Sequence, residues 1–95
     1  MRISVDMPVF NEPGSIREQS IKLLEEASEC CEACKRCEDK WSDDYMPWHR
    51  TDALDEYADV LQSLVNLAHS MGFDHDEIQN AMARCRARNE ERGRC

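Results

Sequence analysis

Glu26 and Glu29 stand three residues apart in the stretch KLLEEASECCEAC (22–34), and Glu56 and Asp59 repeat that spacing in DEYAD (55–59). On a helix, residues three and four apart share a face, so each doublet forms a carboxylate pair on one side of its helix. Two such pairs can hold a divalent cation between them, or each can face water, as most helical charge runs do. Two unit charges about 4 Å apart repel by ~4 kcal/mol at an effective dielectric near 20. Bringing the two pairs together therefore requires a counter-ion. Mg2+ suits such a site, with Mn2+ as a substitute, because it takes oxygen ligands, keeps several waters and is commonly completed by substrate phosphates.

A second set of reactive groups lies just beyond the first. Cys30, Cys31, Cys34 and Cys37, four of the six cysteines, crowd the end of the same acidic segment. A helix carrying them cannot pair them with one another without strain, because disulfides constrain both Cα separation and direction. The spacing C-x2-C-x2-C admits a zinc or iron–sulfur reading. Zinc ligands in small domains usually sit on a knuckle or turn, however, whereas these thiols lie among helix formers with no Gly or Pro. The alternative is a set of small, half-buried, reduced side chains.

Composition bounds what these groups can serve. A chain of 95 residues with 41% hydrophobic and 34% charged residues makes one small domain that cannot enclose a large core, so self-association is expected. The net charge of -8 argues against an electrostatic grip on nucleic acid or anionic lipid. An anionic ligand would need a cation between it and the protein. No apolar run is long enough to span a membrane, and the start MRISVDMPVF has neither the charged region nor the apolar core of a signal peptide, so a cytoplasmic location is expected.

Three helices must position the candidate groups. Residues 1–14 read as an arm or short extended segment. The first helix is expected over 15–40, with Ser15 as N-cap and Glu18 completing a capping box. Residues 41–51 read as a linker, where Pro47 and a Ser/Asp cluster stop propagation. The second helix is expected over 52–71, ending at Gly72, and the third over 74–92, with Asp74 and Glu77 as a capping box and Phe73 stapled onto Ile78.

Helical periodicity then assigns faces. Leu23, Leu24, Ala27, Cys30, Cys31 and Cys34 form one arc of the first helix, opposite Glu25, Glu26, Glu29 and Glu32. On the second, apolar residues from Leu54 to Met71 fill about half the circumference, wider than one neighbouring helix covers, with Glu56 at the border of the arc and Asp59 one step further round. On the third, Ile78, Met82 and Cys85 form a stripe that passes into Asn89 and Arg92. His69 and His75 are placed on helix surfaces.

The motifs EEASE (25–29) and EYAD (56–59), in that order and followed by ADVLQSLVNLAHSMGFD, resemble the EExxE and ExxD motifs of MazG-like nucleoside triphosphate pyrophosphohydrolases, in the all-α NTP pyrophosphatase superfamily. The similarity spans about residues 21–93. It implies an all-α antiparallel helical bundle completed by dimerisation, sometimes as a homotetramer. It also implies Mg2+ bound by Glu26, Glu29, Glu56 and Asp59, with Glu25 as a support or base. The activity implied is hydrolysis of a nucleoside triphosphate to the monophosphate and pyrophosphate.

Near the C-terminus the family often shows Lys, then Asn four residues later and Arg after three more. Asn89 and Arg92 fit that pattern; Cys85 stands at the lysine position, where Arg84, Arg86 or Arg88 would supply the charge. Trp48, with Trp41, Tyr45 and His49, is placed either to stack on a base or to anchor a subunit interface. The competing expectation is a non-catalytic helical interaction module, or one that binds a soft metal through its cysteines.

Overall fold

The computed structural model describes residues 1–38, 41–43 and 45–95 and is all-helical among them: α1 (Ile16–Lys35), α2 (His49–Met71) and α3 (His75–Glu91). Local chemistry accounts for most of the helix ends. Ser15 caps α1 by accepting from the Glu18 backbone N–H at 3.1 Å. Asp74 accepts from the Glu77 N–H at 2.8 Å while the Glu77 carboxylate accepts from the Asp74 N–H at 3.1 Å, so both halves of the capping box of α3 are made. Gly72 ends α2 at φ 72°, a left-handed conformation that costs glycine little. Its N–H and that of Phe73 satisfy the carbonyls of His69 and Ala68.

Two boundaries differ from expectation. Regular α1 stops at Lys35, short of residue 40; residues 39 and 40 lie outside the described set. Past it the chain tightens through three-residue bonds, Cys37 N–H to Cys34 O at 3.0 Å and Glu38 N–H to Lys35 O at 3.1 Å. Four cysteines, each a weaker helix former than Ala, Leu or Glu, weaken this end. The second helix begins at His49 rather than 52, directly after Pro47 and Trp48, with no side-chain cap. Thr51 and Asp52 sit in its first turn instead, the Asp52 N–H bonding to Trp48 O at 3.0 Å.

The α1 and α2 helices pack side by side. They run antiparallel: Ser70 near the end of α2 donates to the carbonyl of Gly14, just before α1, while Glu29 late in α1 meets Glu56 early in α2. The arm lies along α2 and is held by polar groups. Gln62 Nε2 donates to Pro8 O at 2.9 Å, and the Phe10 N–H donates to Asn66 Oδ1 at 3.1 Å.

The third helix stands apart, with no Cα within 8 Å of a Cα of α1 or α2. The angle between α2 and α3 opens a groove of about 690 Å³, lined by Leu61, Leu64 and Ala68 from α2 and by Ile78 and Met82 from α3, with Phe73 at the turn. Among the described residues, the only buried hydrophobic side chain is Ala33. The chain exposes 7869 Å², where a compact monomer of its mass exposes about 5,700 Å². Its radius of gyration is 16.1 Å, against about 12–13 Å for a compact domain of this length. An open hairpin with a projecting third helix accounts for both excesses.

Candidate functional site

Glu26, Glu29 and Glu56 converge across the α1–α2 seam, each offering a carboxylate oxygen within 4.8 Å of the others. Burial distinguishes them. Glu26 is 7% exposed, Glu56 is half-buried and Glu29 is exposed. The expected apolar arc of α1 is thus rotated. The face turned to α2 runs Gln19, Leu23, Glu26, Cys30 and Ala33, while Leu24, Cys31 and Cys34 are exposed. Glu26 belongs to the packed face rather than to a solvated acidic one, because it shares its helical row with Leu23, Cys30 and Ala33. Glu25 and Glu32 are exposed, and Glu29, also exposed, still brings one carboxylate oxygen to the seam.

Glu26 pairs with Lys22, whose Nζ lies 2.8 Å from Oε1. Its Oε2 is buried without a hydrogen-bond partner, and so is Oε2 of Glu56. A buried polar atom left unpaired costs about 1–3 kcal/mol, more when charged. Burial, foremost, holds the Glu56 carboxyl above the ordinary carboxylate range. The charges of Glu29 and Asp59, a hydrogen bond with Glu29 and the charge of Glu26 push it the same way. Each of these influences disfavours the charged form of Glu56 relative to the neutral one.

Asp59, one turn beyond Glu56, is exposed and lies outside the close trio, though its charge is felt at Glu56. Glu25 is exposed on the outer side of α1. Two residues not singled out as site members belong to the setting. Lys22 holds Glu26 through an i,i+4 pair that was visible in the spacing, and Cys30 is half-buried on the same row of α1, its thiol pushed up by burial and by neighbouring Cys34.

The basic candidates lie elsewhere. Arg88 and Arg92 are exposed and Asn89 is half-buried at the end of α3 remote from the α2–α3 turn, where Arg94 donates to Asn89 Oδ1 at 3.4 Å and Asn89 donates to Cys85 Sγ at 3.6 Å. With α3 apart from α1 and α2, a single chain does not bring them to the carboxylates. Trp48, exposed at the start of α2, stacks edge-on with His49 at 6.2 Å, and Tyr45 does the same at 5.6 Å. His69 and His75 are exposed.

The trio fits a hard divalent cation in its chemistry. Adjacent ligands of an octahedral Mg2+ lie about 3 Å apart, so oxygens within 4.8 Å of one another would need side-chain rotation to ligate one. Two of the oxygens have nothing else to bond. Compared with protein-family models, curated proteins and solved structures, the chain matches none.

Proposed function

We propose that the protein is an Mg2+-dependent nucleoside triphosphate pyrophosphohydrolase of the MazG-like kind, converting an NTP or dNTP to the monophosphate and pyrophosphate. The observation that carries this reading is the pair of buried, partnerless oxygens on Glu26 and Glu56 within a trio of carboxylates. Such an arrangement is costly without a cation and satisfied by one. Bound there, Mg2+ would neutralise phosphate charge and lower the pKa of a coordinated water. Glu26, Glu29 and Glu56 orient the cation, Asp59 adds charge at the rim, and Glu25 stands one residue away as a support.

The proposal includes self-association. Covering the excess surface of about 2,000 Å² per chain would bury roughly 4,000 Å² in a dimer, within the range of obligate interfaces. The apolar groove between α2 and α3 offers the surface to do so, as a homodimer or homotetramer. Arg88, Asn89 and Arg92 then reach the acidic group across a protomer interface and stabilise charge developing on the phosphates. Trp48, exposed at the start of α2, is available to a base.

Incubating the protein with a panel of nucleoside triphosphates and Mg2+, followed by ion chromatography, tests the reading. Pyrophosphate and monophosphate should appear in equal amounts, with orthophosphate absent as a first product. Diphosphate with orthophosphate, or no Mg2+-dependent product, would overturn it and leave the non-catalytic interaction module in its place.

A further inference from the structure

The early end of α1 changes the standing of its cysteines. A continuous helix to residue 40 would have kept all four thiols on rigid helical turns. Instead Cys31 and Cys34 occupy the last turns of α1, and Cys37 falls on the turn that follows, held by the Cys34 carbonyl through its N–H and directed back to Ala33 O through its Sγ at 3.6 Å. Cys34-x-x-Cys37 thus straddles a helix end, the kind of knuckle on which small zinc sites place their ligands. Cys31, Cys34, Cys37 and Glu38, with Lys35, line one open concavity of about 500 Å³.

We propose that this concavity is a site for a thiophilic d10 cation such as Zn2+, held by the sulfurs of Cys31, Cys34 and Cys37 and completed by the Glu38 carboxylate. Electrostatics favour a cation there. The C-terminal end of a helix carries about half a negative charge, and Lys35, the one cationic lining group among the described residues, is engaged by Glu32 at 3.5 Å. Cys30, half-buried on the row of α1 turned to α2, shares a hydrogen bond with Cys34 that cation binding would break.

Closure requires side-chain movement. Among the described residues, only the acidic trio has three ligand atoms within 4.8 Å of one another. Zn–S bonds of about 2.3 Å in a tetrahedron put sulfurs about 3.8 Å apart. Side chains three apart on a helix start with Cβ atoms about 5–6 Å apart, so χ1 rotation brings Cys31 and Cys34 to that spacing. Cys37, off the helix, has the freedom to follow. On binding, three S–H bonds break, three Zn–S bonds form and three protons pass to solvent, with no change of oxidation state.

The test is titration of the reduced, chelator-washed full-length protein with Co2+ and then Zn2+, read by sulfur-to-cobalt charge-transfer absorption and by protons released. The expected result is saturation at one ion per chain, with Zn2+ displacing Co2+ and about three protons released at a pH where the thiols start protonated. Cys34→Ser and Cys37→Ser should each weaken binding by more than about 100-fold, with helical content unchanged because neither side chain is in a core. Cys85→Ser with Cys95→Ser, and separately Glu26→Gln with Glu29→Gln, should leave the absorption intact. Absence of charge-transfer bands, bands indifferent to Cys34→Ser and Cys37→Ser, or loss of binding with the two glutamates would each overturn the assignment.

Discussion

On the side of α2 that meets α1, the most buried residues are Ser63 and Asn66, at 4% and 2% exposure; on the side that faces α3, Leu61, Leu64 and Ala68 line an open groove. The first seam is polar yet nearly satisfied within the chain. Ser63 bonds to the Asp59 carbonyl, Asn66 accepts from Phe10 and Gln62, and Ser70 reaches Gly14. Among the described residues, what it leaves over is two carboxylate oxygens. The groove is apolar and leaves over its hydrophobic surface. Each remainder names the chemistry of what would complete it, a cation at one seam and an apolar surface at the other, because an unmet hydrogen-bond acceptor and an uncovered leucine are relieved by different things.

The contrast can be broken first at the polar seam. Glu29→Gln should reduce turnover by more than about 100-fold, since loss of even an outer-shell partner of a metal costs 10–100-fold. Helical content by circular dichroism should stay the same, because Glu29 is exposed. Activity that survived this change would remove the carboxylate trio from the chemistry.

The groove should respond to charge rather than to metal. Leu64→Asp or Met82→Asp places a carboxylate where the partner surface would pack, and should weaken self-association by about 100-fold, or ~2.7 kcal/mol. Sedimentation or light scattering reads it. An unchanged mass would show that the partner surface lies elsewhere, and a wild-type chain already monomeric at micromolar concentration would end the oligomer proposal.

Glu26→Gln sharpens the comparison, because it keeps the volume of the buried side chain and removes its charge. Without a divalent cation it should stabilise the fold by about 1 kcal/mol, some 4–8 °C in Tm for a chain of this size, and it should abolish the rise in Tm that Mg2+ gives the wild type. A destabilised variant would mean that the Lys22 pair outweighs the repulsion.

The smallest effect is in pH. Because the folded-state pKa of Glu56 is raised above the ordinary 4.5, the folded chain binds the proton more tightly than the unfolded one. Its contribution to stability is therefore fully present below 4.5 and is lost as pH rises through the folded-state value. Chelator-treated protein should melt lower at pH 7 than near pH 5, and Mg2+ should narrow the gap. Glu56→Gln should flatten the metal-free profile; a profile unaffected by that substitution would assign the dependence to other groups.

Elements governed by near neighbours were legible in the sequence. Ser15 with Glu18, Asp74 with Glu77 and Gly72 each act within a few residues, so their types and spacing are enough to mark where α1 and α3 begin and α2 stops. The site was partly legible. Helical spacing pairs Glu26 with Glu29 and Glu56 with Asp59, whereas the close trio takes in Glu56 without Asp59; periodicity puts Glu56 at the border between apolar arc and solvent, where it stands half-buried. The burial of Glu26 was not, because the charge of a side chain argues for water while its row on the helix argues for packing; only contact with α2 decides between them.

Sequence alone determined three helices, their caps, the two acidic doublets and the run of thiols, all of which depend on interactions within a turn or two of chain. Tertiary structure decided which row of α1 faces α2, where α1 gives out, and that α3 stands away from both. An amphipathic stripe such as Ile78, Met82 and Cys85 requires an apolar neighbour without specifying one, because hydrophobic burial has no direction. The course of the arm along α2, by contrast, is set by directional bonds: Gln62 and Ser70 donate to the carbonyls of Pro8 and Gly14, and Asn66 accepts from the Phe10 N–H.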